Sequence, residues 1–345
     1  MFQMRKFSAL VKQLQQLRKL SATSIRREKG NLSKVDPYSK ITIKCNYDLK
    51  IVPYDLLDCP DSNLLKITVS NAGREPKVKI SGTDVSIVDS GDVPVPCLLQ
   101  IPIKADLVVE NHGDSAISEL YSDTVRIQSR GNIKTKNIRS SLIDLHSETG
   151  DVSCLGTTLG QTVKVLTGDK GKILLEKLQG DKFEAESNLG SITVNCSYSN
   201  TSFFKTSQGD LLLKNIHKYC HVRTEGKGKL IMNGFYGTLQ AEVGSEEVSL
   251  QLSEIHGQSK VVAKNANDLC LAVSENVIEN AEIAVNSELV EIEPELDGIQ
   301  IASELERLRL GNESSENKLE IFSGKLVRVK KMSWMDTFGF AVKSD

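Results

Sequence analysis

Aromatic residues are scarce: Phe, Trp and Tyr make up 5% of the chain, and Trp334 is the one tryptophan. That supply is thin for a platform on which bases or sugars stack. No run of 18 or more apolar residues occurs, so no segment reads as a membrane-spanning helix. No Cys-x-x-Cys pair occurs, and the seven cysteines (Cys45, Cys59, Cys97, Cys154, Cys196, Cys220, Cys270) are odd in number and thinly spread over 345 residues. A secreted disulfide framework carries an even, dense set, so these read as reduced thiols of an intracellular compartment. The formal charge of -2 gives no general pull toward nucleic acid or an anionic membrane. Helix-forming runs are few after residue 30, while Val, Ile, Ser, Thr, Gly and Asn dominate the middle. That composition belongs to an all-β chain.

Residues 1–30 stand apart, with eight Lys or Arg and a single acid, Glu28. Phe7, Leu10, Val11, Leu14 and Leu17 recur at helical spacing and make one apolar stripe. The longest unbroken apolar run, Ala9-Leu10-Val11, is too short for the core of a secretory signal. An amphipathic, acid-poor segment rich in Arg, Lys and Ser is the composition of a mitochondrial transit peptide. Arg18-Lys19-Leu20 before Ser21-Ala22 resembles a presequence cleavage pattern. The expected location is therefore mitochondrial, in the matrix, with residues 1–34 as transit peptide and linker.

The middle of the chain repeats a phrase. Glycines stand at Gly113, Gly131, Gly150, Gly171, Gly190, Gly209 and Gly228, in steps of 18, 19, 21, 19, 19 and 19 residues. Two positions after the last six stand Ile133, Val152, Ile173, Ile192, Leu211 and Leu230, and two further on Thr135, Cys154, Leu175, Val194, Leu213 and Met232. Ile138, Leu178, Ile216 and Phe235 follow at the seventh position. Before the glycines a second alternating segment recurs, as in Val125/Ile127, Leu145, Val163/Val165, Phe183/Ala185, Phe204 and Val222. Period-2 alternation marks half-buried strands. Two such strands per 19 residues, with a fixed glycine between them, is one coil of a single-chain β-solenoid, or β-helix, whose coils bury a continuous core only when stacked.

Counting by twos from the inward apolar positions lands on Ser129, Ser147, Thr167, Ser187, Thr206 and Thr224. A hydroxyl is thus expected to point inward at one corner of six consecutive coils and bond turn backbone there. The glycine that follows is expected to supply a positive φ. The residue after it (Asn132, Asp151, Lys172, Ser191, Asp210, Lys229) is expected to face solvent, and its varied charge argues against a shared ligand.

Past Gly228 the strands continue without the glycine, and the repeats are assigned to residues 111–302. Residues 35–110 are strand-rich but lack the period and are assigned as a β-rich N-terminal subdomain and cap, since a solenoid end exposes an unpaired edge. Residues 303–345 are assigned as an acidic loop, a last strand (LEIFSGKLVRVKK) and a C-terminal cap.

IPIKADLVVENHGD leads into Ser/Thr…Gly-Asp-Val/Leu turns, as in SETGDVS and TSQGDLL, and the chain ends in a strand and KKMSWMD. In these features it resembles the putative-adhesin β-solenoid domain of unknown function and, among animal proteins, the uncharacterised family with sequence similarity 185. The resemblance spans about residues 40–335. It implies the solenoid and no established activity, so no functional residue is carried over.

Candidate chemistry is sparse. His217-Lys218-Tyr219-Cys220-His221 is the densest potential metal cluster, but no second cluster completes a four-ligand set, and a solvated loop is the favoured reading. Asp114, Asp151 and Asp210 invite comparison with solenoid glycosidases, which need two carboxylates close together beside a groove. Here the acids alternate with Asn, Lys and Ser along one corner, so a turn role is favoured. Asn195-Cys196-Ser197 and Asn200-Thr201-Ser202 match glycosylation acceptors, against which the leader argues. Lys325, Arg328, Lys330 and Lys331 beside Trp334 form a basic, partly aromatic patch, for which a solvated strand face is the favoured reading and a protein or lipid headgroup contact the alternative. No catalytic, cofactor-binding or metal residue is assigned, and no cofactor. The expected function is a non-enzymatic mitochondrial scaffold that binds a protein partner and no nucleic acid; the alternative is a β-helix enzyme acting on a carbohydrate or another polymer.

Overall fold

A computed structural model describes residues 31–332, apart from 56, 58, 72, 305 and 306. The basic leader and Trp334 lie outside the described residues. The protein is all-β: its strands join into one hydrogen-bonded, mostly parallel sheet that winds as a solenoid. Two short helical segments, Glu275–Asn280 and Pro294–Ile299, interrupt the described strands.

The repeated phrase sets the register. Ile133, Val152, Ile173, Ile192, Leu211 and Leu230 pair directly in successive parallel strands, and so do Thr135, Cys154, Leu175, Val194, Leu213 and Met232. All but Thr135 of these twelve are buried apolar side chains, and Thr135 is buried too. Each buried Leu or Ile contributes about 1.5–3 kcal/mol relative to exposure, which a single coil cannot collect alone.

Each coil has three sides where two strands were expected. In the coil after Gly131 the buried positions run 133, 135, then 138, 140, then 143, 145, 147. A step of three breaks the alternation twice, and the glycine corner breaks it a third time. The register shift between Lys136 and Ile138 marks the first break. There the backbone is left-handed at Glu119, Asn137, Gly156, Asn215 and Gly234, the sixth position after the corner glycine. Asn and Gly tolerate that conformation better than other residues. The coil of 21 residues places its extra residues at bends: Cys154 to Thr158 is one longer than Thr135 to Ile138, and Thr167 to Gly171 one longer than Ser147 to Gly150.

At both ends the spatial order of the coils departs from the chain order. Strand Lys40–Cys45 lies parallel between Asp84–Val88 and Asp106–Asn111, and strand Tyr47–Pro53 between Val95–Ile101 and Ser115–Ser118. The coil of residues 84–101 is therefore outermost, although it comes later in sequence. Antiparallel strands Leu64–Val69 and Asn31–Lys34 cover one of its edges, and Lys77–Ser81, carrying Lys77 and Lys79, covers the other. Charged side chains on an edge strand discourage further pairing.

The far end mirrors this. Lys318–Ser323 lies between Gln258–Ala263 and Glu282–Asn286, and Leu326–Lys331 between Asp268–Val273 and Leu289–Ile292. The last described strands are thus inserted one coil inside the end of the stack. Arg307–Gly311 and Gln300–Glu304 close the outer edge as antiparallel strands.

Candidate functional site

The glycine corner is the most regular site in the molecule. Contrary to expectation, none of the seven corner glycines has a positive φ. Their requirement is space. A Cβ at Gly171 would overlap the carbonyl oxygen of Gly150, one at Gly190 that of Gly171, and one at Gly209 that of Gly190. The corners nest directly on one another, and only glycine allows backbones so close.

The predicted hydroxyls fill the inside of this corner. All six are buried. Ser129 Oγ donates to Gly113 O at 2.6 Å, Ser147 Oγ to Gly131 O at 2.8 Å and Ser187 Oγ to Gly171 O at 2.9 Å, each reaching the preceding coil. Ser147 and Thr206 also accept from Gly150 N and Gly209 N, both at 2.9 Å. One coil before Ser129 the position belongs to Asn111. Its Oδ1 accepts from Tyr47 N and Gly113 N, while its Nδ2 donates to Tyr47 O, Asp114 O and Ser115 Oγ. A buried amide is tolerable because every polar atom is satisfied.

The turn acids are bound up in the same stack. Asp114 Oδ1 accepts Asn132 N–H at 2.8 Å, Asn132 Oδ1 accepts Asp151 N–H at 2.9 Å, and Asp151 Oδ1 accepts Lys172 N–H at 2.8 Å. Asp210 Oδ1 accepts Lys229 N–H at 2.9 Å. Each carboxylate or amide thus caps the backbone of the next coil.

The histidine cluster is dispersed by the strand pleat. Cys220 points inward and is fully buried, and burial drives its thiol pKa well up. His221 packs edge-on against Phe203, ring centroids 5.1 Å apart. His217 instead stacks between Tyr198 at 4.5 Å and Tyr236 at 4.6 Å. Partial burial lowers the His217 pKa, the Glu254 charge opposes that, and Lys218 adds to the lowering. This stack belongs to an outward row on the short second side: Tyr121, Arg139, Leu159, Gln179 and Tyr198 are paired coil to coil, His217 is paired with Tyr236, and the Tyr198–His217 ring stack joins the two runs across a shift in register. Tyr121 is 41% exposed, Leu159 39% and Tyr198 44%, with Tyr219 beside them at 41%. Composition alone does not reveal this row; the eighth position after the glycine does, or the ninth at Leu159 in the longer coil.

The basic C-terminal patch holds coils together. Arg328 Nη1 meets Asp268 Oδ2 at 2.7 Å and its Nε meets Glu291 Oε2 at 3.2 Å, one acid on each flanking coil. Lys331 Nζ lies 3.3 Å from Glu275 Oε1. The third side is likewise neutralised coil by coil, through Lys44–Glu110, Arg126–Asp144 and Lys164–Glu184.

A second group of perturbed residues sits at the N-terminal cap, where sequence spacing singled out nothing. Arg74 pairs with Asp89 at 2.8 Å and donates to Asn46 O and Val93 O, while Tyr47 Oη donates to Arg74 O. Burial pushes the Asp89 carboxyl up, but the Arg74 hydrogen bond, the Gly91 N–H and the Arg74 charge outweigh it and hold it below the usual range. Burial pushes the Cys45 and Cys97 thiols up to about 12. Arg74 and Asp89 saturate one another and clamp the loops over the first coil. No disulfide joins any of the seven cysteines.

These features define a parallel β-solenoid with nested glycine corners. No family model matches the sequence. Three solved structures are similar over 88% of this chain. A putative adhesin from Parabacteroides merdae is 10% identical, with 96% of that chain covered and a TM-score of 0.36. Another from Bacteroides fragilis is 10% identical, with 96% covered and a TM-score of 0.29. A putative cell adhesion protein from Clostridium sporogenes is 11% identical, with 99% covered and a TM-score of 0.16. Likenesses this remote carry no argument for a function, which resides in sites and not in folds.

Proposed function

We propose that the protein is a non-enzymatic interaction scaffold of the mitochondrial matrix and a member of the uncharacterised family with sequence similarity 185. The leader composition supports the location, and the IPIKADLVVENHGD, SETGDVS and KKMSWMD segments support the family. One observation carries the molecular role. The turn acids that a solenoid enzyme would use are engaged by backbone N–H groups of neighbouring coils, whereas the Tyr121–Tyr236 row presents partly exposed aromatic and apolar side chains to a partner. Aromatic anchors of this kind are the residues that dominate protein interfaces.

The test is affinity recovery from a mitochondrial extract with wild-type protein, with Tyr198→Ser and Tyr219→Ser together, and with Lys205→Ser on the third side. A partner recovered by wild type and Lys205→Ser but lost by the tyrosine variant supports the role. Equal recovery by all three removes the second side from it. N-terminal sequencing of the endogenous protein tests the location, and an intact Met1 contradicts import with cleavage.

A further inference from the structure

The first side of the coil carries an ordered pattern that the second-side reading does not use. Its central outward row runs Ser153, Leu174, Thr193, Leu212, Ile231 and Ser249, paired coil to coil and without a charge over six coils. Charged rows flank it. On the glycine side stand Asp151, Lys172, Ser191, Asp210 and Lys229; on the other, Glu176, Asn195 and Lys214. Successive coils are about 4.8 Å apart, so the apolar row is about 24 Å long.

The signs in these rows are antisymmetric about the coil of Thr193. One coil before it stands Lys172, one after it Asp210; two before stands Asp151, two after Lys229. On the opposite flank Glu176 precedes Asn195 and Lys214 follows it. A twofold axis through Thr193, in the plane of this side and perpendicular to the stack, reverses coil order while keeping each row opposite itself. Under that operation every charged residue of the three antisymmetric pairs faces its opposite, Leu174 faces Leu212, and Thr193 faces Thr193. Within three coils on either side of Thr193 no two like charges meet in these rows.

We propose that the first side is an isologous dimer interface and that its occupant is a second copy of this chain, docked antiparallel about Thr193. Closed twofold association requires a self-complementary surface, and face-to-face sheets pack about 10 Å apart, within reach of Lys and Glu on the flanks. Ion pairs within the chain engage Arg126 and Lys164 on the third side; on the first side Lys229 meets Glu247 at 2.7 Å, whereas no ion pair within the chain engages Lys172 or Lys214 among the described residues. The leucines supply the desolvated centre, and the three symmetric charge pairs fix the register and exclude the parallel alternative. The proposal is independent of the partner carried by the second side.

Sedimentation velocity on the purified chain over a concentration series is the test, with thermal melts of every variant as a folding check. Wild type is expected to sediment as a dimer. Lys214→Glu sets a carboxylate against Glu176 of the other copy at two symmetric places, and is expected to weaken dimerisation about tenfold or more. Glu176→Lys is expected to do the same. Mixing the two folded variants restores both opposite pairs, so a heterodimer should form where neither variant dimerises alone. Lys205→Glu on the third side should leave the dimer intact. A wild-type monomer at every concentration overturns the proposal, as does a dimer indifferent to Lys214→Glu, or a mixture that stays monomeric.

Discussion

Gly209 lies directly over Gly190, so close that the carbonyl oxygen of Gly190 occupies the space a Cβ on Gly209 would need. The same relation holds between Gly190 and Gly171. Replacing Gly190 with Ala forces backbone apart across two coils and is expected to cost about 1–3 kcal/mol, as overpacking does. Ser191→Ala, on the outward side of the same corner, is expected to stay within about 0.5 kcal/mol. Urea unfolding of the two variants checks this, and equal losses would mean the corner is not nested.

Ser147 and Ser187 occupy the same inward position but differ in what they hold. Ser147 donates to Gly131 O and accepts from Gly150 N. Ser187 donates to Gly171 O, which Thr167 also reaches at 2.9 Å. Ser147→Ala leaves part-buried backbone groups of Gly131 and Gly150 without this partner and should cost about 1–3 kcal/mol. Ser187→Ala should cost less, because Thr167 remains. A larger loss at Ser187 would show that the hydroxyls act singly and not as a ladder.

His217 makes stability depend on pH. Its pKa is lowered below the ordinary 6.5 by burial between the tyrosines. The unfolded chain therefore binds the proton more readily, so this contribution is complete above about pH 6.5 and declines as pH falls from there toward the folded value. His217→Phe keeps a ring between Tyr198 and Tyr236 and removes the titration. Its stability relative to wild type should rise as pH drops from about 7 to about 5, by thermal melts; a constant difference would remove His217 as the source.

The inserted strands at the far end make the outer coil conditional. Among the described strands, Glu282–Asn286 and Leu289–Ile292 join the stack in parallel only through Lys318–Ser323 and Leu326–Lys331. Val327→Asp, at a buried position of the inserted coil, should therefore strip exchange protection from the amides of residues 283–285 and 290 while leaving those of residues 192–194 protected. Arg328→Ser removes two ion pairs between exposed groups, and about 1 kcal/mol or less is expected from it. Hydrogen exchange resolves both, and protection retained at residues 283–285 in Val327→Asp would contradict the insertion.

The period and the inward parity were legible because side-chain alternation and a nested backbone both act on single residues at fixed spacing. The demand for glycine was legible, but not its cause: close approach and a positive φ ask for the same residue. The left-handed bend left Asn137, Gly156, Asn215 and Gly234 at the sixth position, a signal masked by Lys177 and Cys196 at the same place in other coils. The out-of-order coils were not legible, because strand insertion depends on pairing partners about 60 residues apart and not on any local pattern. For the same reason the Arg328 patch read as open, although Asp268 and Glu291 stand on both sides of it.

The central claim, that the turn acids serve the stack and not a reaction, is tested most directly by unfolding free energies of paired variants at Asp151 and Asp210. Asn132 already performs the acceptor role with an amide at the equivalent position. The double variant Asp151→Asn/Asp210→Asn keeps an acceptor oxygen and should match wild type within about 0.5 kcal/mol. Asp151→Ala/Asp210→Ala loses both acceptors and should be less stable by about 1–3 kcal/mol. An Asn variant as destabilised as the Ala variant, or one that folds normally but abolishes a turnover found in wild type, would contradict the account.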